Sequence, residues 1–203
     1  PDLVLVLRIT NEPKISSKNV MSTSLGLSIV FIFFNACVSE NKQFTKLSSS
    51  FSNINFKNKL YETNTRNYFT NPYMYLGAGV AAGDFNNDGL EDLFFSGNMV
   101  PNKLYINQGN LKFNDISESA GIEGDDRWYS GVTLIDINND GFLDIYCSVG
   151  GENGPNNNIL FINNQDNTFT EKAKEFGIDD DAYSMHSTFF DYDKDGDLDL
   201  YVA

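Results

Sequence analysis

The feature that most limits how this chain can fold is an acidic cassette that recurs three times. "GVAAGDFNNDGLEDLFF" (79–95), "GVTLIDINNDGFLDIYC" (131–147) and "HSTFFDYDKDGDLDLYV" (186–202) align without gaps. Their leading aspartates, Asp84, Asp136 and Asp191, stand 52 and 55 residues apart. The likeness runs on past the acidic stretch, because "NKLYINQGNLKFNDISESAGI" (102–122) matches "NILFINNQDNTFTEKAKEFGI" (158–178). The chain therefore holds two whole repeats and the start of a third. Self-similarity at a fixed period specifies the architecture before any single element is assigned.

Each repeat carries four candidate strands. In the second they are "GVTLID", "FLDIYCSV", "NILFIN" and "TFTEKA", with the turn signal "NQDN" between the last two. Four short strands in a unit of this length fit one blade of a propeller, which cannot bury both of its faces unless further blades stack beside it. Four isolated strands would make too small a core to stand alone. The expected fold class is all-β, a partial β-propeller. Two complete four-stranded blades are expected at about 73–128 and 129–183, with an incomplete third at 184–203. The chain opens on Pro1 and closes on "LYVA" inside a strand-like stretch, so it reads as a piece of a longer one.

The acidic cassettes share the form D-x-[DN]-x-D-G-x-x-D. The first presents Asp84, Asn86, Asp88 and Asp92; the second Asp136, Asn138, Asp140 and Asp144; the third Asp191, Asp193, Asp195 and Asp199. Oxygen side chains at positions 1, 3 and 5 can wrap a hard cation, and the glycine at position 6 (Gly89, Gly141, Gly196) permits a sharp turn. The carbonyl at position 7, from Leu90, Phe142 or Asp197, can add a donor, and the aspartate at position 9 can close the shell. All-oxygen ligation with about six donors suits Ca²⁺ better than Zn²⁺, and better than Mg²⁺, which keeps its waters. Without a cation, three or four carboxylates per loop would repel at close range. In the third loop Asp197 is expected to offer its carbonyl and to turn its side chain outward. An EF-hand is excluded: it needs Glu at position 12 and flanking helices, whereas position 12 is Phe95, Cys147 and Val202 within strand-forming sequence.

Charge is placed unevenly. Residues 1–75 carry eight Lys/Arg against four Asp/Glu, and residues 76–203 carry six against twenty-four. A domain that acidic repels phosphate backbones, so nucleic acid is not an expected partner. The N-terminal part reads differently. "SLGLSIVFIFFNAC" (24–37) contains an apolar run from Leu25 to Phe34, too short to span a bilayer, which takes about 20 residues, and fitting a secretory signal. It ends on Cys37 in a context that resembles a bacterial lipobox, which makes Cys37 the candidate lipidation site. Residues 1–37 are therefore expected to be an extension and signal peptide, 38–72 a polar linker, and 73–203 the repeats. The only membrane contact expected is the N-terminal lipid anchor.

The segments "GDFNNDGLEDLFFSGN", "IDINNDGFLDIYCS", "FDYDKDGDLDLYVA" and "NKLYINQGNLKFNDISESAGI" resemble the FG-GAP/VCBS repeat family over about residues 73–203. That resemblance implies a propeller similar to the integrin α-subunit head, with Ca²⁺ held between the first and second strands of some blades by the residues named above. The cassette is also similar to bacterial surface lipoproteins that carry such repeats and often an ASPIC/UnbV domain, which is not visible here. The expected role is an exported, cell-surface binding or adhesion module, whose ligand would be a glycan or a surface protein. The alternative is a polysaccharide-active, lyase-like enzyme with its catalytic residues outside these blades, and a structural spacer is a third reading.

Other residues argue for packing. His186, the one histidine, stands where the other repeats have Gly131 and Gly79, and has no second histidine or cysteine beside it. Cys147 corresponds to Phe95 and Val202, so a buried thiol is expected. Trp128, Tyr129 and Tyr183 precede first strands; packing between blades is the expectation, and stacking on sugar rings the alternative. The loop 150–158 is four residues longer than its counterpart and is a candidate contact surface.

Overall fold

The computed structural model describes residues 5–7, 44–151 and 154–203. Cys37 and the apolar run before it lie outside the described residues. The chain divides into two units, Pro1–Ser48 and Ser49–Ala203. In the first, β1 (Leu5–Leu7) pairs antiparallel with β2 (Phe44–Lys46).

The second unit opens with a one-turn helix, α1 (Ser49–Ser52), and then forms the repeats. The first sheet has the order β3-β4-β5-β6, from Val80–Gly83, Asp92–Phe95, Lys103–Asn107 and Phe113–Asp115. The second has the order β7-β8-β9-β10, from Tyr129–Ile135, Asp144–Val149, Ile159–Asn163 and Phe169–Glu171. The third holds β11 (Ser187–Phe190) and β12 (Asp199–Val202). All pairings are antiparallel between chain neighbours, and equivalent residues pair in equivalent register: Gly83 faces Asp92, Ile135 faces Asp144 and Phe190 faces Asp199. Two four-stranded blades and a third begun are thus present as expected. The sequence reading missed α2 (Ser117–Ala120) and α3 (Ala173–Phe176), one-turn helices that follow the fourth strands and close on Gly121 and Gly177 in the left-handed region. Four residues are too few to leave a periodic signal.

Alternation along the strands decides which face packs where. Phe94, Leu104 and Ile106 of the first sheet meet Ile145, Cys147, Ile159 and Phe161 of the second in one buried cluster. The opposite face of the second sheet, with Tyr146, Leu160 and Ile162, packs on Phe189 and Leu200 of the third. The core therefore lies between successive sheets, the layering that stacked blades require. Small residues let the sheets approach: a Cβ on Gly83 would come within 2.7 Å of both Leu134 and Leu143 of the next sheet. Polar bonds fix the offset, as Thr133 Oγ1 donates to Ser187 O at 2.6 Å and Ser130 Oγ to Ser184 O at 2.5 Å.

Residues 54–58, read from the sequence as part of a linker, pack onto the first sheet. Ser52, Ile54 and Asn71 are buried, and the Phe56 ring stacks on Phe95 with centroids 5.0 Å apart. Low hydropathy concealed this, because only a few widely spaced side chains make the contact. Cys147 is a buried free thiol whose pKa burial pushes up, as its strand position predicted. Trp128 and Tyr129 are buried, and Tyr129 belongs to β7 rather than preceding it, while Tyr183 is exposed.

Candidate metal centre

The three acidic loops join the first strand of each sheet to its second. In each, the fourth residue takes a left-handed conformation, Asn87 at φ 58°, Asn139 at 56° and Lys194 at 66°, and so does the glycine two positions on. The leading aspartate holds that turn. Asp84 accepts N–H bonds from Asp88 (3.0 Å) and Gly89 (2.7 Å), and Asp136 from Asp140 (2.9 Å) and Gly141 (2.8 Å). Asp191 accepts from Gly196 at 3.2 Å, but its other oxygen takes the N–H of Lys194 at 2.6 Å. Position 5 accepts from position 7 throughout: Leu90 to Asp88, Phe142 to Asp140 and Asp197 to Asp195. These short-range bonds are why Asx residues at this spacing fold into a loop that turns its acids inward.

Position 3 separates the loops. Asn86 Nδ2 donates to Asp88 Oδ2 at 3.0 Å, and Asn138 Nδ2 to Asp140 Oδ2 at 2.8 Å. The second loop gains a further donor, Gln165 Nε2 on Asp140 Oδ2 at 3.1 Å. The Phe142 N–H, then the Asn138 amide and the Gln165 amide, hold the Asp140 carboxyl below its ordinary range. The third loop has Asp193 at position 3 and so lacks that amide. Asp191, Asp193 and Asp195 each bring a carboxylate oxygen within 4.8 Å of the others, at the surface. They form the one such acidic group among the described residues. Asp197, expected to turn outward, is exposed and also bonds Asp195. That hydrogen bond and the neighbouring charge raise the Asp197 pKa, while the Asp197 backbone and side-chain bonds lower that of Asp195.

Position 9 lies beneath the loop. Asp92 and Asp144 are fully buried. Asp92 accepts the N–H of Phe85 at 3.0 Å and of Asn107 at 2.7 Å; Asp144 accepts those of Ile137 at 3.1 Å and Asn163 at 2.8 Å. Each carboxylate thus ties its own loop to the third strand of its sheet. Burial pushes both groups up to about 6, against the pull of their N–H donors. Asp199 keeps the loop bond, from Tyr192 N at 2.7 Å, and stands outside the group of three.

Two partners of this brace escaped the sequence reading. Asn107 and Asn163 occupy one repeat position, in "YIN" and "FIN", and that identity was the available signal. Their side chains donate to Glu91 O and to Leu143 O, and Asn163 also reaches Phe85 O of the preceding sheet at 2.8 Å. Asn87 Nδ2 bonds Gly141 O at 3.0 Å, so the first two loops lie side by side. His186, exposed, pairs through its backbone with Ala203 and takes no part in the loops.

A hard cation is the ligand that such a donor set fits: oxygens only and net negative, on a loop already turned by its own N–H groups, with the carboxylates of the third loop converging. Asp84, Asn86 and Asp88, Asp136, Asn138 and Asp140, and Asp191, Asp193 and Asp195 are the residues that could hold it.

The family model for the FG-GAP-like repeat matches residues 84–147 and 148–202. The first match runs from the acidic loop of the first sheet into the second strand of the second sheet, and the other from that strand into the second strand of the third, so the family unit straddles two blades. The chain is 32% identical over 130 residues to cartilage acidic protein 1 of Xenopus tropicalis, covering 62% of this chain and 19% of that protein. It is 39% identical over 79 residues to the protein of that name from Mus musculus, covering 39% of this chain and 12% of the relative. Against the Homo sapiens protein it is 30% identical over 130 residues, again 62% and 19%. The chain thus spans a fifth or less of the length of these curated relatives.

Proposed function

The chain belongs to the FG-GAP-like repeat family, and from that premise we propose that it is an exported array of propeller blades, held in shape by Ca²⁺, that presents a binding surface outside the cell. The observation that carries this reading is the convergence of Asp191, Asp193 and Asp195 within 4.8 Å, in a loop whose counterparts recur once per blade. Three exposed carboxylates held that close by backbone bonds are costly until a divalent cation meets them. The ion would supply positive charge only; the chain's own residues turn the loop, aim the acids and brace the next strand. Extracellular Ca²⁺ is abundant enough for sites with affinities of about 10⁻⁴–10⁻³ M. The relatives are cartilage acidic proteins. Among the described residues no helix is long and apolar enough to cross a membrane, and anchoring through Cys37 remains part of the proposal. The binding partner proposed is a glycan or a surface protein.

The experiment is Ca²⁺ titration of the chelated protein, read by its heat of binding and its melting temperature. Saturable binding with a rise in melting temperature supports the reading. The absence of both at millimolar Ca²⁺ overturns it.

A further inference from the structure

A second module recurs beside the acidic loop. β6 leads into α2, Gly121 turns left-handed at φ 69°, and Ile122 is fully buried. β10 leads into α3, Gly177 turns at φ 71°, and Ile178 packs on the second cluster. The same succession stands ahead of the first sheet, where no repeat was expected. In chain order β2 is followed by α1, then Asn53 at φ 64°, then Ile54 at 1% exposure. The left-handed residue closes its helix in each case: Asn53 N bonds Ser49 O at 2.8 Å, Gly121 N bonds Glu118 O at 3.2 Å and Gly177 N bonds Lys174 O at 3.2 Å. Asparagine is the usual substitute for glycine at such a cap.

Its placement matches as well. Cys147 and Phe161 line the face of the second sheet that meets the first, in the cluster that also holds Ile122. The residues at those repeat positions in the first sheet are Phe95 and Tyr105, which point away from the second sheet. The residues just past Ile54 cover them. Phe56 stacks on Phe95, Asn55 N donates to Tyr105 Oη at 3.3 Å, and Asn58 and Asn98 exchange bonds of 2.5 and 3.1 Å between their amides and backbone. Tyr105 is left 2% exposed.

We propose that residues 49–58 are a fourth, partial copy of the repeat, the closing module of a blade, seated over the outer face of the first sheet where a preceding blade would stand. The first sheet is then covered on both faces within this chain, and its outer face is a blade contact rather than a free surface. The segment acts as a strap, since one ring stack and a few polar bonds hold it where a whole sheet serves elsewhere.

Hydrogen exchange on the full chain tests this. The amides of Asn53 to Phe56 should be protected in the same range as those of Gly121 and Ile122. Ile54→Ala should lower the melting temperature much as Ile122→Ala does. Phe56→Ala, a milder change at a half-buried ring, should speed exchange in β4 and β5 and leave β9 and β10 unchanged. Free-chain exchange rates at residues 53–56, or unaltered β4 and β5 in Phe56→Ala, would overturn the proposal.

Discussion

The first two acidic loops and the third share a spacing but meet the same repulsion by different means. Asn86 and Asn138 put an amide donor against the position-5 carboxylate, so those loops relieve part of their repulsion internally. In the third loop Asp193 supplies another negative oxygen, and the hydrogen bond and charge of Asp195 raise the Asp197 pKa. The position-9 brace differs in the same sense. Asp92 and Asp144 are sealed under their loops with two N–H partners each, whereas Asp199 is half-buried in a two-stranded sheet. One residue type at one position thus divides loops with an internal amide donor from a loop whose acids have none.

That contrast can be broken most forcefully at the brace. Asp92→Ala or Asp144→Ala strands two buried N–H groups, and should cost about 2–5 kcal/mol in chemical denaturation. Asp199→Ala should cost clearly less, and equal losses at all three would erase the distinction. The next effect lies at position 3. Asp193→Asn should weaken Ca²⁺ at the third loop about tenfold, or ~1.4 kcal/mol, and should steady that loop when Ca²⁺ is removed. Asn138→Asp should do the reverse at the second, strengthening binding while lowering the melting temperature in chelator. Calorimetric titration with paired melts checks both.

The pH dependence sharpens the comparison further. Asp92 and Asp144 titrate near 6 when no cation is present, above their unfolded range. Their protonated forms therefore favour the folded state, and the stability they contribute is present at low pH and lost as pH rises through about 6. Carboxyl NMR should find two groups titrating there in chelator, and Ca²⁺ should pull both downward. The smallest expected effect is that of Asp197→Asn, which should remove its repulsion of Asp195 while leaving Ca²⁺ affinity nearly unchanged.

The fold was legible because it was repeated. Three cassettes in register located six strands, and the match of 102–122 to 158–178 located four more. The acidic loops were legible for the same reason, since Asx spacing and glycine dictate the loop directly. What escaped was what one copy cannot advertise. Residues 49–58 carry the closing module in polar sequence with Asn53 in place of glycine, so composition suggested a tether. Asn107 and Asn163 read as ordinary strand ends until the buried carboxylates beneath the loops were seen to need their N–H groups.

The most direct test of the central claim is Ca²⁺ titration of the unmodified chain beside Asp195→Ala, read by calorimetry and by melting in chelator and in Ca²⁺. The account predicts that Ca²⁺ binds and raises the melting temperature, and that Asp195→Ala removes the tightest site while leaving the first two loops intact. No heat of binding and identical melts with and without chelator would contradict it.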